Sequence, residues 1–168
     1  MDLEINYLKN KRGLFVFSDP GGAKPLLAFI KNHGLKDFKV ISDRKYDFFL
    51  DFGINVINFK NENIEKIIKD FNPDYILSGT SYTSKIELRF INQAKKLNVD
   101  TYSYIDHYTN YKERFILDNQ YVFPKNIILI DKIAEEIAIK TKLSAHSNLI
   151  VSNNFYHDFL RNWTPKTL

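Results

Sequence analysis

Short apolar runs alternate with segments of helical periodicity along the whole chain. Residues 13–17 form a continuous apolar run, which is typical of a strand buried on both faces of a parallel sheet. Ala23, Leu26, Leu27 and Ile30 then recur at helical spacing and predict an amphipathic helix. By the same reading, six more strands are predicted at residues 38–41, 55–59, 75–77, 99–105, 126–130 and 148–151.

Helices are predicted between these strands. Three of them cover residues 43–50, 84–97 and 155–163. A further helix is predicted between a cap at Asn61 and a stop at Pro73, and another begins after a cap at Asp131. Strands that alternate with helices indicate a parallel sheet covered on both faces. A closed barrel of eight such units has about 250 residues, more than this chain. We therefore predict a single Rossmann-like domain over residues 1–168, with an open, mostly parallel, doubly wound sheet of six or seven strands.

Ligands of such sheets bind beyond the carboxyl ends of the strands, near the point where the strand order reverses. This rule selects the loops after the first, fourth and fifth predicted strands. Each of these three loops carries side chains that could bind a ligand or take part in a reaction.

The loop after the first strand is Ser18-Asp19-Pro20-Gly21-Gly22. Its glycines let the backbone approach a ligand closely, and the helix N-terminus behind them favours a phosphate or a carboxylate. The spacing matches neither the dinucleotide-binding glycine motif nor the Walker loop. Asp19 disfavours an anion unless its side chain turns away, and the alternative is a tight turn without a ligand.

The loop after the fourth strand contains Gly79, Thr80 and Ser81, which can line a polar cleft. Glu87 follows on the apolar side of the next helix. Burial there would raise the pKa of its carboxyl, which could then act as a general acid or base. The alternative is a capping box, in which Ser84 and Glu87 bond to each other's backbone N–H groups.

The loop after the fifth strand contains Asp106, His107, Tyr108, Asn110 and Arg114. Histidine has the pKa of a general base, and arginine can bind phosphate or carboxylate through two hydrogen bonds. The aromatic side chains could stack on a sugar ring or a base. The sequence does not require adjacent side chains such as Asp106 and His107 to touch. The alternative is a purely structural loop in which Arg114 pairs with an acidic residue of the same loop.

Composition narrows the chemistry further. Lys and Arg total 24 and Asp and Glu total 20, so the net charge is +4. The basic residues are scattered, which argues against nucleic-acid binding. The absence of cysteine excludes disulfides, thiol catalysis and cysteine-ligated zinc. The four histidines lack metal-ligand spacing, so no metal site is predicted. No apolar run approaches the ~18 residues of a membrane helix, and we expect a cytoplasmic protein.

The order of these motifs resembles the N-terminal half of the GT-B glycosyltransferases and of the related UDP-N-acetylglucosamine 2-epimerases. The resemblance lies in the Gly21-Gly22 turn, the Gly79-Thr-Ser turn followed by a glutamate, and the Asp-His-Tyr-Thr-Asn-Tyr segment that begins at Asp106. In that superfamily the last strand commonly runs into a Gly-Asn-Pro or Gly-Gln-Pro turn. Here Ser-Asn-Asn at residues 152–154 replaces it.

The resemblance implies an acceptor-side domain in the synthesis of bacterial surface polysaccharide. Asp106 or His107, with Asp19 as a third candidate, would remove the proton of an acceptor hydroxyl. Glu87 and Arg114 would support that step, and the Gly-Gly turn would hold an acceptor phosphate or pyrophosphate. A nucleotide sugar would be the co-substrate, with no metal and no other cofactor.

The resemblance also implies partners. The donor half of such enzymes is a second domain, so we expect a C-terminal half or a partner subunit, and a sugar or glycolipid acceptor. Peripheral membrane association through that partner or acceptor, and a homo-oligomer, are further possibilities. Two alternative functions are a non-catalytic module that binds a sugar phosphate or nucleotide with a partner subunit, and a fragment of a sugar-nucleotide 2-epimerase or hydrolase.

Overall fold

The computed structural model describes residues 3–164; residues 1, 2 and 165–168 of the predicted domain lie outside the described part. Its strands are β1 Gly13–Phe17, β2 Phe38–Ser42, β3 Val56–Asn58, β4 Tyr75–Ser78, β5 Asp100–Ile105, β6 Ile116–Leu117, β7 Gln120–Tyr121, β8 Asn126–Leu129 and β9 Asn148–Val151. Its α-helices are α1 Leu3–Tyr7, α2 Pro20–Asn32, α3 Ile64–Phe71, α4 Ile86–Lys96, α5 Lys132–Lys140 and α6 Phe155–Asn162. Short 3-10 helices cover Leu8–Asn10, Asp47–Phe52, Glu113–Phe115 and Leu143–Ala145.

Seven of the described strands form one all-parallel sheet in the order β3-β2-β1-β4-β5-β8-β9. The chain builds outward from β1 to β3, then returns to the other side of β1 and builds outward from β4 to β9. The strand order therefore reverses between β1 and β4. This arrangement confirms the predicted open, doubly wound, Rossmann-like fold.

Helices cover both faces of this sheet. Phe15 and Phe17 of β1 pack against α2 and α6, whereas Leu14 and Val16 of the same strand pack against α3 and α4. A third apolar cluster joins α5 to the second face around β8. Burial on both faces explains why β1 is apolar at successive positions.

Of two predicted N-cap residues, one is correct and the other lies two positions too early in the chain. Asp131 caps α5, since its Oδ1 accepts a hydrogen bond from the Ala134 N–H at 2.8 Å. The predicted cap of the third helix is wrong, because Asn63 rather than Asn61 accepts the N–H of Lys66. Asn61 has a positive φ of 97° and lies in the turn before the helix.

Two segments differ from their sequence prediction. The helix predicted at residues 43–50 is instead the 3-10 helix Asp47–Phe52, because Phe49 is fully buried and Phe52 packs against the same core. The long loop after β5 contains the β6–β7 hairpin, whose turn residues Asp118 and Asn119 both have positive φ. Such a turn matches the twist of a two-stranded hairpin. No helix within residues 3–164 is long and apolar enough to cross a membrane.

Candidate functional site

The loops after β1, β4 and β5 meet where the strand order reverses. Gly22 and Gly79 lie against each other: a Cβ atom added at Gly79 would lie 2.8 Å from the Cα of Gly22. The Gly79 N–H also donates a hydrogen bond to the carbonyl of Val16 in β1. The contact between the loops therefore leaves no room for a side chain at Gly79 and little at Gly22.

The carboxyl group of Glu87 packs against this pair of glycines. The same Cβ atom at Gly79 would lie only 2.5 Å from Glu87 Oε2, and a Cβ atom at Gly22 would lie 3.6 Å from it. Glu87 is only 3 % exposed. Its Oε1 accepts a hydrogen bond from the Ser81 N–H at 2.9 Å, whereas Oε2 has no partner among the described residues.

Burial of this carboxyl has a chemical consequence. Loss of hydration raises the pKa of Glu87 to about 8. Hydrogen bonding to Ser81 opposes this rise, and the negative charges of Asp19 and Asp43 add to it. A carboxyl with this pKa is mostly protonated at neutral pH and can donate a hydrogen bond. The predicted rise in the pKa of Glu87 agrees with this environment.

The capping box that was the alternative for Glu87 does not form. Helix α4 begins at Ile86, and its cap residue, Lys85, makes no side-chain capping bond. The hydroxyl of Ser84 donates to Asp43 at 2.7 Å and accepts a long hydrogen bond from the Ile86 N–H at 3.4 Å, so it does not bond to the N–H of Glu87. Glu87 reaches the N–H of Ser81 in the β4–α4 loop because that group lies in the interior, where an unpaired N–H is costly.

Asp19 occupies the N-terminus of α2. Its Oδ1 accepts the Gly22 N–H at 2.8 Å, so the protein's own carboxylate caps the helix at the place where a phosphate was expected. A phosphate at this turn would have to displace Asp19 and then lie close to Glu87 and Asp106. The turn as folded therefore favours a neutral ligand over an anion.

Asp106 and His107 do touch, although the sequence did not require it. Asp106 Oδ2 lies 3.3 Å from His107 Nε2, and the side chain of His107 is 55 % exposed. A Cβ atom at Gly21 would lie 2.8 Å from the same Asp106 oxygen. Burial raises the pKa of Asp106, while the nearby charges of His107 and Arg114 oppose that rise. The pair is thus an acid held inside the site and an imidazole at its opening.

Arg114 connects two loops instead of pairing with an acid of its own loop. Its guanidinium is buried, and Nη1 donates to the carbonyl of Thr80 at 2.6 Å while Nε donates to that of Thr109 at 3.1 Å. Tyr111 fixes the same loop, because its hydroxyl donates to the backbone carbonyl of His107 at 2.6 Å. Arg114 therefore positions the loop, and only its charge reaches Asp106.

The remaining predicted residues surround this centre. Ser18 and Ser81 are buried, and neither hydroxyl has a hydrogen-bond partner among the described residues. Thr80 is also buried and donates its hydroxyl hydrogen to the carbonyl of Tyr104. Tyr108 and Asn110 lie at the exposed rim.

Sequence reasoning missed two acids near the site. Asp43 contacts Ser84 and raises the pKa of Glu87, and Asp131 accepts the hydroxyl of Tyr108. Both acids follow the carboxyl end of a strand, so the rule that selected the other loops could have found them. Within residues 3–164, no group of three or more His, Asp or Glu side chains is arranged to hold a metal ion.

Comparison of the chain with protein-family models, curated proteins and solved structures finds no match. The sheet order shows the fold, and the site is described by its own chemistry. That chemistry consists of an exposed imidazole beside a carboxylate, a neutral buried acid, and an acid-capped glycine turn.

Proposed function

We propose that this chain is the acceptor-binding domain of a GT-B-type glycosyltransferase, and that the Asp106–His107 pair takes the proton from an acceptor hydroxyl. The observation that carries the proposal is the contact of 3.3 Å between His107 Nε2 and Asp106 Oδ2 at the reversal point of the sheet. A carboxylate beside one imidazole nitrogen stabilises the imidazolium that forms when the other nitrogen takes a proton.

The reaction step follows from this arrangement. His107 Nδ1 receives the hydroxyl proton while Nε2–H faces Asp106. The acceptor oxygen then forms a bond to the anomeric carbon of the donor sugar, and the bond from that carbon to the nucleoside diphosphate breaks. The positive charge left on His107 is balanced by Asp106.

The charges around the site support a neutral, hydroxyl-rich acceptor. Asp19, Glu87 and Asp106 lie close to the Gly21–Gly22 turn, and the Gly22 N–H is already bonded to Asp19. Sugar hydroxyls can donate hydrogen bonds to these oxygens, whereas a diphosphate would be repelled by the carboxylates of Asp19 and Asp106. The nucleotide sugar is then held by a second domain or a partner subunit, as the sequence resemblance implies.

A binding experiment tests this proposal on the chain alone. Amide NMR spectra of the wild type are recorded with N-acetylglucosamine, glucose, UDP and UDP-N-acetylglucosamine. We expect the neutral sugars to shift the amide signals of Gly21, Gly79 and His107, and UDP to leave them unchanged. Asp106→Asn should weaken the sugar shifts, whereas His157→Ala, a change at an exposed histidine on α6, should not.

Two results would contradict the proposal. Tight binding of UDP at Gly22 and His107 would indicate a nucleotide-binding module complete in itself. Sugar shifts that are the same in the wild type and in Asp106→Asn would show that the Asp106–His107 pair is not part of the sugar site.

In an assembled two-domain enzyme, Asp106→Asn and His107→Ala should each abolish turnover while the fold is retained.

A further inference from the structure

Tyr108 is an exposed aromatic ring whose hydroxyl is held in place. The residue is 44 % exposed, and its hydroxyl donates a short hydrogen bond to Asp131 Oδ2. Asp131 is itself fixed, because its other oxygen caps α5 through the Ala134 N–H. The ring of Tyr108 is therefore oriented before any ligand arrives, while much of its surface remains open to solvent.

A second tyrosine of the same loop shows what a structural role looks like. Tyr111 also donates its hydroxyl to a neighbour, the carbonyl of His107, but its ring is almost fully buried in an apolar cluster. Its packing stabilises the fold. Tyr108 has the anchor without the burial, so its ring adds less apolar packing to the fold than that of Tyr111 does. Its orientation therefore calls for another explanation.

The loop directs Asp106 and Tyr108 toward opposite ends of the site. Asp106 approaches Gly21 after β1, whereas Tyr108 reaches Asp131 after β8. The strand order β1-β4-β5-β8 places these two ends three strand intervals apart, or about 14 Å at ~4.8 Å for each interval. A single pyranose ring is built from bonds of about 1.5 Å and is much narrower than this separation. One sugar ring beside Gly21, where Asp106 and His107 lie, therefore does not reach the Asp131 end of the site, where the Tyr108 hydroxyl is held.

We propose that Tyr108 forms an aromatic subsite for a further sugar ring of an extended acceptor, so that the site takes a saccharide of two or more rings. The inference rests on the proposed acceptor function. A tyrosine face offers apolar surface to the C–H face of a sugar ring, and its pre-set orientation removes the entropy cost of ordering it during binding. With the hydroxyl anchored, 44 % of the residue remains exposed to a ligand.

The test measures the affinity of the chain for N-acetylglucosamine and for its β1,4-linked dimer, trimer and tetramer, together with an array of immobilised saccharides of one to six rings. We expect the wild type to bind extended saccharides more tightly than single rings. Tyr108→Ala should weaken binding of the extended saccharides about 3- to 10-fold and leave single rings unchanged. Tyr108→Phe keeps the ring but loses the hydroxyl anchor. Its affinity for extended saccharides should lie between those of the wild type and of Tyr108→Ala.

The matched control is Tyr7→Ala. Tyr7 is 63 % exposed, lies in α1 before the amino end of β1, and should leave all affinities unchanged. The subsite is refuted if Tyr108→Ala binds extended saccharides as well as the wild type, or if single rings bind as tightly as extended ones. If sugars bind and Asp106→Asn weakens them, the proposed function survives that refutation. If no saccharide of any length binds, both proposals fail.

Discussion

Replacement of Glu87 by glutamine should change how the stability of this domain depends on pH. Glutamine keeps the shape of the carboxyl and an oxygen that accepts the Ser81 N–H, but it does not titrate. Glu87 is buried against two glycines with one oxygen unpartnered, so its charged form has little to stabilise it. The variant therefore isolates the effect of one buried proton.

The magnitude follows from the pKa of Glu87, which burial raises from 4.5 to about 8. A pKa raised in the folded state means that the folded protein binds the proton more tightly than the unfolded chain does. The stability from this group is fully present below pH 4.5 and is lost as the pH rises through about 8. Each pKa unit is worth about 1.4 kcal/mol, so the full loss has an upper bound of roughly 5 kcal/mol.

The assay is urea unfolding of the wild type and of Glu87→Gln at pH 5, 6, 7 and 8. The free energy of unfolding of the wild type should fall relative to the variant by up to about 1.4 kcal/mol per pH unit across this interval. Asp106, whose pKa burial also raises, and His33, whose pKa burial lowers, titrate in both proteins. Their contributions cancel in the difference.

One result would refute this reasoning. If the two proteins lose stability in parallel from pH 5 to pH 8, Glu87 is not a buried group that holds a proton. Its carboxyl would then be hydrated or paired in the folded state, and its role as a neutral hydrogen-bond donor would have to be abandoned.

Two further variants test the contacts between the loops. Gly79→Ala should lower the free energy of unfolding by about 1–3 kcal/mol in urea, because its Cβ atom would lie 2.8 Å from Gly22 Cα; an unchanged midpoint would show that the loops are not in contact. Arg114→Ala should lower it by about 1–3 kcal/mol in the same assay, because the buried carbonyl of Thr80 loses its donor. The matched control is Arg161→Ala, which removes an exposed arginine of α6 and should change the free energy of unfolding by less than about 0.5 kcal/mol. If both arginine variants change it equally, Arg114 does not hold the loop in position.

Much of the fold could be predicted from local patterns. The first predicted strand, residues 13–17, coincides with β1, and the last helix ends one residue earlier than predicted. Apolar periodicity is a property of a few neighbouring residues, so it is readable without the rest of the chain. The cap at Asp131 was predicted for the same reason, because a capping bond spans only three residues.

The candidate site was predicted as three loops but not as a set of contacts. The sequence offered Glu87 a nearby partner in Ser84, and the folded protein gives it a different one in Ser81. The change depends on how the β4–α4 loop packs over β1, which no local pattern encodes. Arg114 likewise bonds to Thr80, 34 positions earlier, instead of an acid beside it.

The sequence by itself determined the alternation of strands and helices, the three polar loops and the residue types that they carry, because each of these is set within a few residues. The tertiary structure alone decided that Gly22 meets Gly79 and that Glu87 is enclosed against both. It also decided that the side chains of Asp106 and His107 touch each other near Gly21. Desolvation and charge coupling require groups from distant parts of the chain to share one volume. That condition exists only once β1, β4 and β5 lie side by side in the sheet.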